Sequence, residues 1–162
     1  MTEQKGQEPA KDQKITILGT GNLLLKDEGI GVHIIQRMEA MELPENVKLV
    51  DGGVAGINLP YLIEGVDKLI VIDCVDAEVE PGAIFRFTPE DVDVPQRDVT
   101  MSFHDIGLLE ALELAKQDGK GPKTTIIIGV QPKEIEWGME LTPEIEKVVP
   151  DIIEAVLKEL EE

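Results

Sequence analysis

Apolar residues recur along this chain with two spacings, and the alternation between them predicts the architecture. Short runs rich in β-branched residues at Lys14–Leu18, Val47–Val50, Lys68–Asp73 and Lys123–Gly129 read as strands. The run KLIVID at 68–73 is apolar almost throughout, which suits burial on both faces. Between the strands the spacing becomes that of an amphipathic helix. Over Glu28–Met41 the stripe is Ile30, Ile34, Ile35, Met38 and Met41, with Pro44 beyond its end. Over Ile106–Lys116 it is Ile106, Leu109, Leu112 and Ala115, behind a Ser102-x-x-Asp105 capping box. Thr142-Pro143-Glu144 opens a helix with a cap residue, a proline at the first helical position and an acid in the first turn. That helix is expected to reach Leu160, to bury Ile145, Val148, Val149, Ile152, Val156 and Leu160, and to kink at Pro150. Gly56–Glu64 reads as a short helical crossover, Gly82–Phe87 as a further strand at an edge, and Thr88–Thr100 as a surface loop. Strands alternating with helices predict an α/β fold: a single three-layer domain with a mainly parallel sheet of about five strands and helices on both faces. Residues 1–13 have almost nothing to bury and read as a disordered tail ahead of a domain at 14–162.

Composition then narrows the partners. Against 33 acidic residues stand 15 basic ones, a net charge of -18. A field of that sign repels nucleic acid and anionic membrane and favours metal ions and cationic partners. Cys74 is the only cysteine, so no internal disulfide is possible, and its place beside Asp73 reads as that of a small buried hydrophobe. No segment approaches the roughly 18 continuous apolar residues of a membrane span, and no apolar signal-peptide core opens the chain. A cytoplasmic protein that binds neither nucleic acid nor membrane is expected.

The candidate chemistry lies at the ends of the strands, where open α/β sheets bind ligands. Lys14–Gly31 reads as a strand ending in Gly19-Thr20-Gly21-Asn22 and leading to a helix, with the acidic pair Asp27-Glu28 between. Asp51 follows the second strand and Asp73 closes the third. His104 opens the helix behind the 88–100 loop, where the positive end of the helix dipole disfavours imidazolium and keeps the ring in its metal-binding form. Carboxylates and an imidazole converging on one cleft make a ligand set for a divalent transition ion. Taken singly, Asp27 and Glu28 also suit a helix first turn, Asp51 a turn before Gly52-Gly53, and His104 an incidental place beside a cap. His33, beside Arg37 and off the apolar stripe, reads as a solvated surface residue. Glu159, Glu161 and Glu162 read as a frayed, solvated helix end, while Trp137 suits either a cover over the core or a partner groove.

Together these residues resemble the hydrogenase maturation endopeptidases, which trim the C-terminal extension of the [NiFe]-hydrogenase large subunit. The resemblance is carried by Gly19-Thr20-Gly21-Asn22 with Asp27-Glu28-Gly29-Ile30-Gly31, by Asp51-Gly52-Gly53-Val54-Ala55-Gly56 and by Val71-Ile72-Asp73-Cys74-Val75-Asp76-Ala77. It continues in Ser102-Phe103-His104-Asp105-Ile106-Gly107-Leu108 and Gly129-Val130-Gln131-Pro132, in order over about residues 14–158. It implies that Glu28, Asp73 and His104 contact nickel, supplied by the substrate protein, and that the partner is the large-subunit precursor. Asp51 matches a further family acid, and Asp51 and Asp27 are the candidate catalytic carboxylates. Neither a Ser/His/Asp or Cys/His constellation nor an H-E-x-x-H helix is present to supply another mechanism. Two rival classes use the same residues: a nickel-binding metallochaperone that cuts nothing, and a dinucleotide-binding oxidoreductase. The second would need its third glycine at Leu24 and would set carboxylates against a pyrophosphate.

Overall fold

The computed structural model describes residues 13–53, 59–92 and 103–161, with the backbone alone for 59, 60, 92 and 103–107. The expected tail at 1–12, the start of the crossover at 56–58, the loop at 93–100 and the Ser102 cap lie outside the described residues. Strands β1 (Ile15–Thr20), β2 (Val47–Gly53), β3 (Lys68–Cys74), β4 (Ile84–Phe87) and β5 (Thr124–Val130) form one sheet in the order β2-β1-β3-β5-β4. All neighbours pair in parallel except β4, which runs antiparallel to β5 at the edge. The mainly parallel α/β architecture is therefore as the apolar pattern predicts.

Side-chain alternation splits the core into two layers. Ile70, Ile72 and Cys74 of β3 face helices α1 (Ile30–Met38) and α5 (Pro143–Glu159). Leu69 and Val71 face the other way, with Ile63 of α2 (Leu59–Ile63) and Leu108, Ala111 and Leu112 of α4 (Phe103–Gln117). A short helix, α3 (Pro89–Val92), occupies the start of the segment expected to be loop.

Helix α1 begins later than its apolar stripe suggests, because Lys26–Gly29 forms a separate 3-10 turn. The helix then crosses the sheet at backbone distance. A Cβ on Gly31 would stand 2.2 Å from the Ile72 carbonyl oxygen and 2.4 Å from that of Thr20. One on Gly19 would stand 2.2 Å from the Gly31 carbonyl oxygen. Only glycines permit this approach, which pins the start of α1 over the ends of β1 and β3.

One expectation for α5 changes. Pro150 lies inside the helix, as expected, on its exposed side, where the carbonyl left without a donor can be hydrated. Glu159 is not a solvated end: it is buried, its carboxylate accepts hydrogen bonds from Arg86 of β4 and lies 3.7 Å from the Lys68 ammonium. Lys68 also donates to the Glu159 carbonyl, as suits a cation at a helix C-terminus. Burial of this acid depends on cations supplied by β3 and β4.

Replacing Gly31 by alanine should move α1 off the sheet and destabilise the fold by about 3 kcal/mol or more, the upper range for overpacking against a rigid neighbour. Urea unfolding followed by far-UV circular dichroism measures it, and a loss below about 1 kcal/mol would show that the helix can shift.

Candidate active site

The carboxyl edge of the sheet is shaped first by its backbone. Gly21 leaves β1 with φ 133°, and its N–H donates to the Gly53 carbonyl over 3.0 Å, tying the ends of β1 and β2. A Cβ on Gly21 would lie 2.0 Å from the Glu28 carbonyl oxygen, so the chain folds back against itself here. Leu25 and Glu28 continue the turn by donating to Asn22 and Leu25 carbonyls. This sequence of bonds places Glu28, half-buried, immediately past the end of β1.

The acid beside it does something different. Asp27 is 1% exposed, and its carboxylate is filled by donors. Oδ2 accepts the N–H groups of Lys133 at 2.9 Å and Glu134 at 3.0 Å. Oδ1 accepts the Thr142 N–H at 2.8 Å, and the Thr142 hydroxyl donates across both oxygens at 2.8–3.0 Å. Thr142 opens α5 as expected, but its side chain bonds Asp27 rather than capping the helix. Around this centre Lys26 N–H donates to Gly138, Gly138 N–H to Leu24, and the Lys26 ammonium pairs with Glu134 at 2.7 Å. Asp27 thus fastens the turn after β1 to the segment after β5. Its oxygens are committed to those donors.

Asp73 is buried at the close of β3, opposite Gly129 of β5, and its Oδ1 accepts the Cys74 N–H at 2.8 Å. Strand alternation turns it toward the layer that holds α4. That helix ends at Gln117, just before β5 enters the sheet, so its first turn with His104 comes at the carboxyl edge; the His104 side chain is outside the described residues. Asp51 pairs across from Gly19, is exposed, and its Oδ1 accepts the Gly53 N–H at 3.0 Å. Alternation places it toward the α1 layer, opposite to Asp73. Among the described residues no three His, Cys, Asp or Glu side chains are grouped closely enough to hold a metal ion.

Negative charge gathers at this edge all the same. Burial pushes the Cys74 thiol far up, and the charges of Asp73, Glu28, Asp27 and Asp76 push it further. Cys74 is therefore an inert buried thiol, as its sequence setting suggests. Asp76 and Gln131 form a pair that composition and spacing do not single out, though both fall within the resembling motifs. The Gln131 amide donates to Asp76 Oδ1 at 3.0 Å and accepts the Ala77 N–H at 2.7 Å. These bonds, the Gln131 one first and then that from Glu78 N–H, hold the Asp76 carboxyl below its usual range.

His33 corrects a second expectation. It is half-buried rather than solvated, and its Nε2 is buried with no hydrogen-bond partner among the described residues. Burial and then Arg37 push its pKa down, against weaker upward pulls from Glu146, the Met139 carbonyl and Asp27.

A family model described as "HycI: Hydrogenase maturation protease" matches residues 32–159. The chain is similar to the hydrogenase expression/formation protein HupD of Bradyrhizobium diazoefficiens, 36% identical over 146 residues that make up 88% of this chain and 76% of the relative. It is 34% identical to the hydrogenase 2 maturation protease of Escherichia coli over 92% of each chain. The solved structure of the hydrogenase maturating endopeptidase HybD from E. coli superposes with a TM-score of 0.82 at 32% identity, covering 91% of this chain and 92% of that one.

Asp27→Ala should strip the amides of Lys133, Glu134 and Thr142 of their acceptor and cost about 3 kcal/mol, the scale of breaking one buried charged network. Hydrogen exchange should then quicken first in residues 131–142; unchanged protection there would refute the clamp. For His33 the depressed pKa means that the unfolded chain binds the proton first. Stability is then fully present above about pH 6.5 and falls as pH drops below it. A thermal-melt series from pH 7.5 to 5.5 should show a steeper fall for the wild type than for His33→Leu, and parallel curves would exclude the effect.

Proposed function

The chain belongs to the hydrogenase maturation proteases and is a hydrolase of that family; from this premise we propose that it removes the C-terminal extension of a [NiFe]-hydrogenase large-subunit precursor after nickel insertion. The observation that carries this reading is the placing of Glu28 and Asp73 at adjacent strand ends, where both bear on the same buried thiol. The resemblance adds His104, whose backbone lies in the first turn of α4. A carboxylate, carboxylate and imidazole set suits a divalent nickel ion held in the substrate protein. In this reading the nickel is part of the substrate, and contact with it fixes the scissile peptide in the cleft.

Hydrolysis then needs water, a base and a polarised carbonyl. Water oxygen attacks the carbonyl carbon, its proton passes to a carboxylate, and the departing amine takes a proton as the C–N bond breaks. Asp51 is the candidate base: exposed at the same edge and oriented by the Gly53 amide. The substrate metal would lower the barrier as a Lewis acid. Nucleophilic catalysis by Cys74 is disfavoured by its burial and raised pKa. The buried donors around Asp27 set the 3-10 turn and so the position of Glu28.

Incubation with nickel-loaded and nickel-free precursor tests this directly by the mass of the large subunit. Only the loaded form should be shortened, and Glu28→Gln, Asp73→Asn and His104→Ala should each slow cleavage about 100-fold or more. Equal cleavage of both forms would remove nickel recognition from the reading. Nickel binding with no cleavage of either form would favour the metallochaperone.

A further inference from the structure

Apolar side chains seldom stand in water as a rigid group without a partner. Next to the site, Trp137 is 80% exposed, Met139 66%, Ile135 48% and Leu24 47%. The backbone brings Leu24 to the stretch that carries the other three: Gly138, between Trp137 and Met139, donates to the Leu24 carbonyl at 2.9 Å and accepts from Lys26 N–H at 2.8 Å, and Ile135 lies two residues before Trp137. The segment is held from below by the Asp27 carboxylate through Lys133, Glu134 and Thr142. Such a ridge loses little conformational freedom when covered, and an exposed tryptophan on a rigid support is the commonest kind of interface anchor.

Two observations say what covers it. The first is continuity with the active-site edge. Leu24 and Glu28 belong to one turn, with Asp27 between them bonded to the ridge segment. A protein whose C-terminal segment enters the cleft at Glu28 comes within reach of this surface, because Asp27 ties the turn of Glu28 to it. The second is charge. Lys26 is paired with Glu134 at 2.7 Å and Glu136 at 3.8 Å, and Lys133 with Glu144 at 2.5 Å. With Glu140 also exposed, the rim is acidic and its cations are already engaged.

We propose that Leu24, Ile135, Trp137 and Met139 form the docking surface for the folded body of the large-subunit precursor, which meets it with an apolar recess bordered by lysine or arginine. This rests on the endopeptidase reading for the identity of the partner. The ridge holds the body while the cleft engages the metal-bearing C-terminal region, and acidic residues around it speed encounter by long-range attraction.

Trp137 is the only tryptophan in the chain, so growth on 5-fluorotryptophan gives a single fluorine resonance from the ridge itself. Adding the precursor from the chain's own organism to saturation should shift or broaden that resonance. In biolayer interferometry, Trp137→Glu and Met139→Glu should each weaken precursor binding about 30-fold or more, while Trp137→Phe stays within about threefold. Thermal midpoints should match the wild type, since these side chains are exposed. An unmoved resonance at saturation, a loss below about threefold in both glutamate variants, or a wild-type chain that does not bind the precursor would overturn the proposal. Cleavage is not the readout, so a chain that binds through Trp137 but leaves the precursor uncut would refute the endopeptidase reading and leave the docking surface standing.

Discussion

Taking an ionised carboxylate out of water costs several kcal/mol unless donors replace the lost hydration. At Asp27 those donors come from the backbone at Lys133 and Glu134 and from the backbone and hydroxyl of Thr142, more than a hundred residues along the chain. The carboxylate can be buried only if the turn after β1, the segment after β5 and the start of α5 are all in place. Conversely, those amides have their acceptor only while the Asp27 side chain is in place. The edge that carries the candidate chemistry is therefore assembled as one unit rather than as loops that close independently.

The backbone contact beneath it explains why the unit is seated where it is. With Gly31 pressed on the carbonyls of Ile72 and Thr20, the 3-10 turn before α1 has almost no freedom along the sheet. Glu28 is fixed from one side by the turn around Gly21 and from the other by the crossing of α1. Rigidity of this kind is what a site needs when it must hold a substrate group within a few tenths of an ångström.

The fold was legible in the chain because its determinants are local and periodic. KLIVID has no polar position between Lys68 and Asp73, so β3 reads as a central strand, and the stripes of α1 and α5 name residues that reach the core, Met41 excepted: it falls past the end of α1 and is exposed. What could not be read was the fate of charged residues whose partners are distant. Asp27 and Glu28 are neighbours of similar chemistry, and nothing near them says that one faces the Thr142 hydroxyl while the other stays at the cleft. Glu159 falls on the same helical stripe as Ile152 and Val156, which marks it as inward-facing, yet a charge there is acceptable only because β3 and β4 deliver Lys68 and Arg86. His33 is half-buried although it lies off the apolar stripe, and the segment at Met139 faces it from the far end of the chain. The strand-end acids were legible for the opposite reason: in a parallel sheet, position at a strand's close already fixes position at the shared edge.

The carboxylates at this edge also divide by how their charge is met. Asp27 is balanced by amides and a hydroxyl, and Asp76 by the Gln131 side chain and the Glu78 amide, all neutral dipoles. Neutral donors stabilise each charge without cancelling the field that it projects. Asp27 and Asp76 therefore keep a negative field at this edge, and they are among the charges that push the Cys74 thiol up. Had Asp27 and Asp76 been paired with lysines instead, their charges would be as well satisfied but their field would be cancelled. Under the proposed reaction this separates two kinds of discrimination: the ridge senses the shape and charge of the substrate's body, whereas the field at the strand ends senses the metal. Because Asp27 ties the segment after β5 to the turn that carries Glu28, engagement of the first raises the effective concentration of the second.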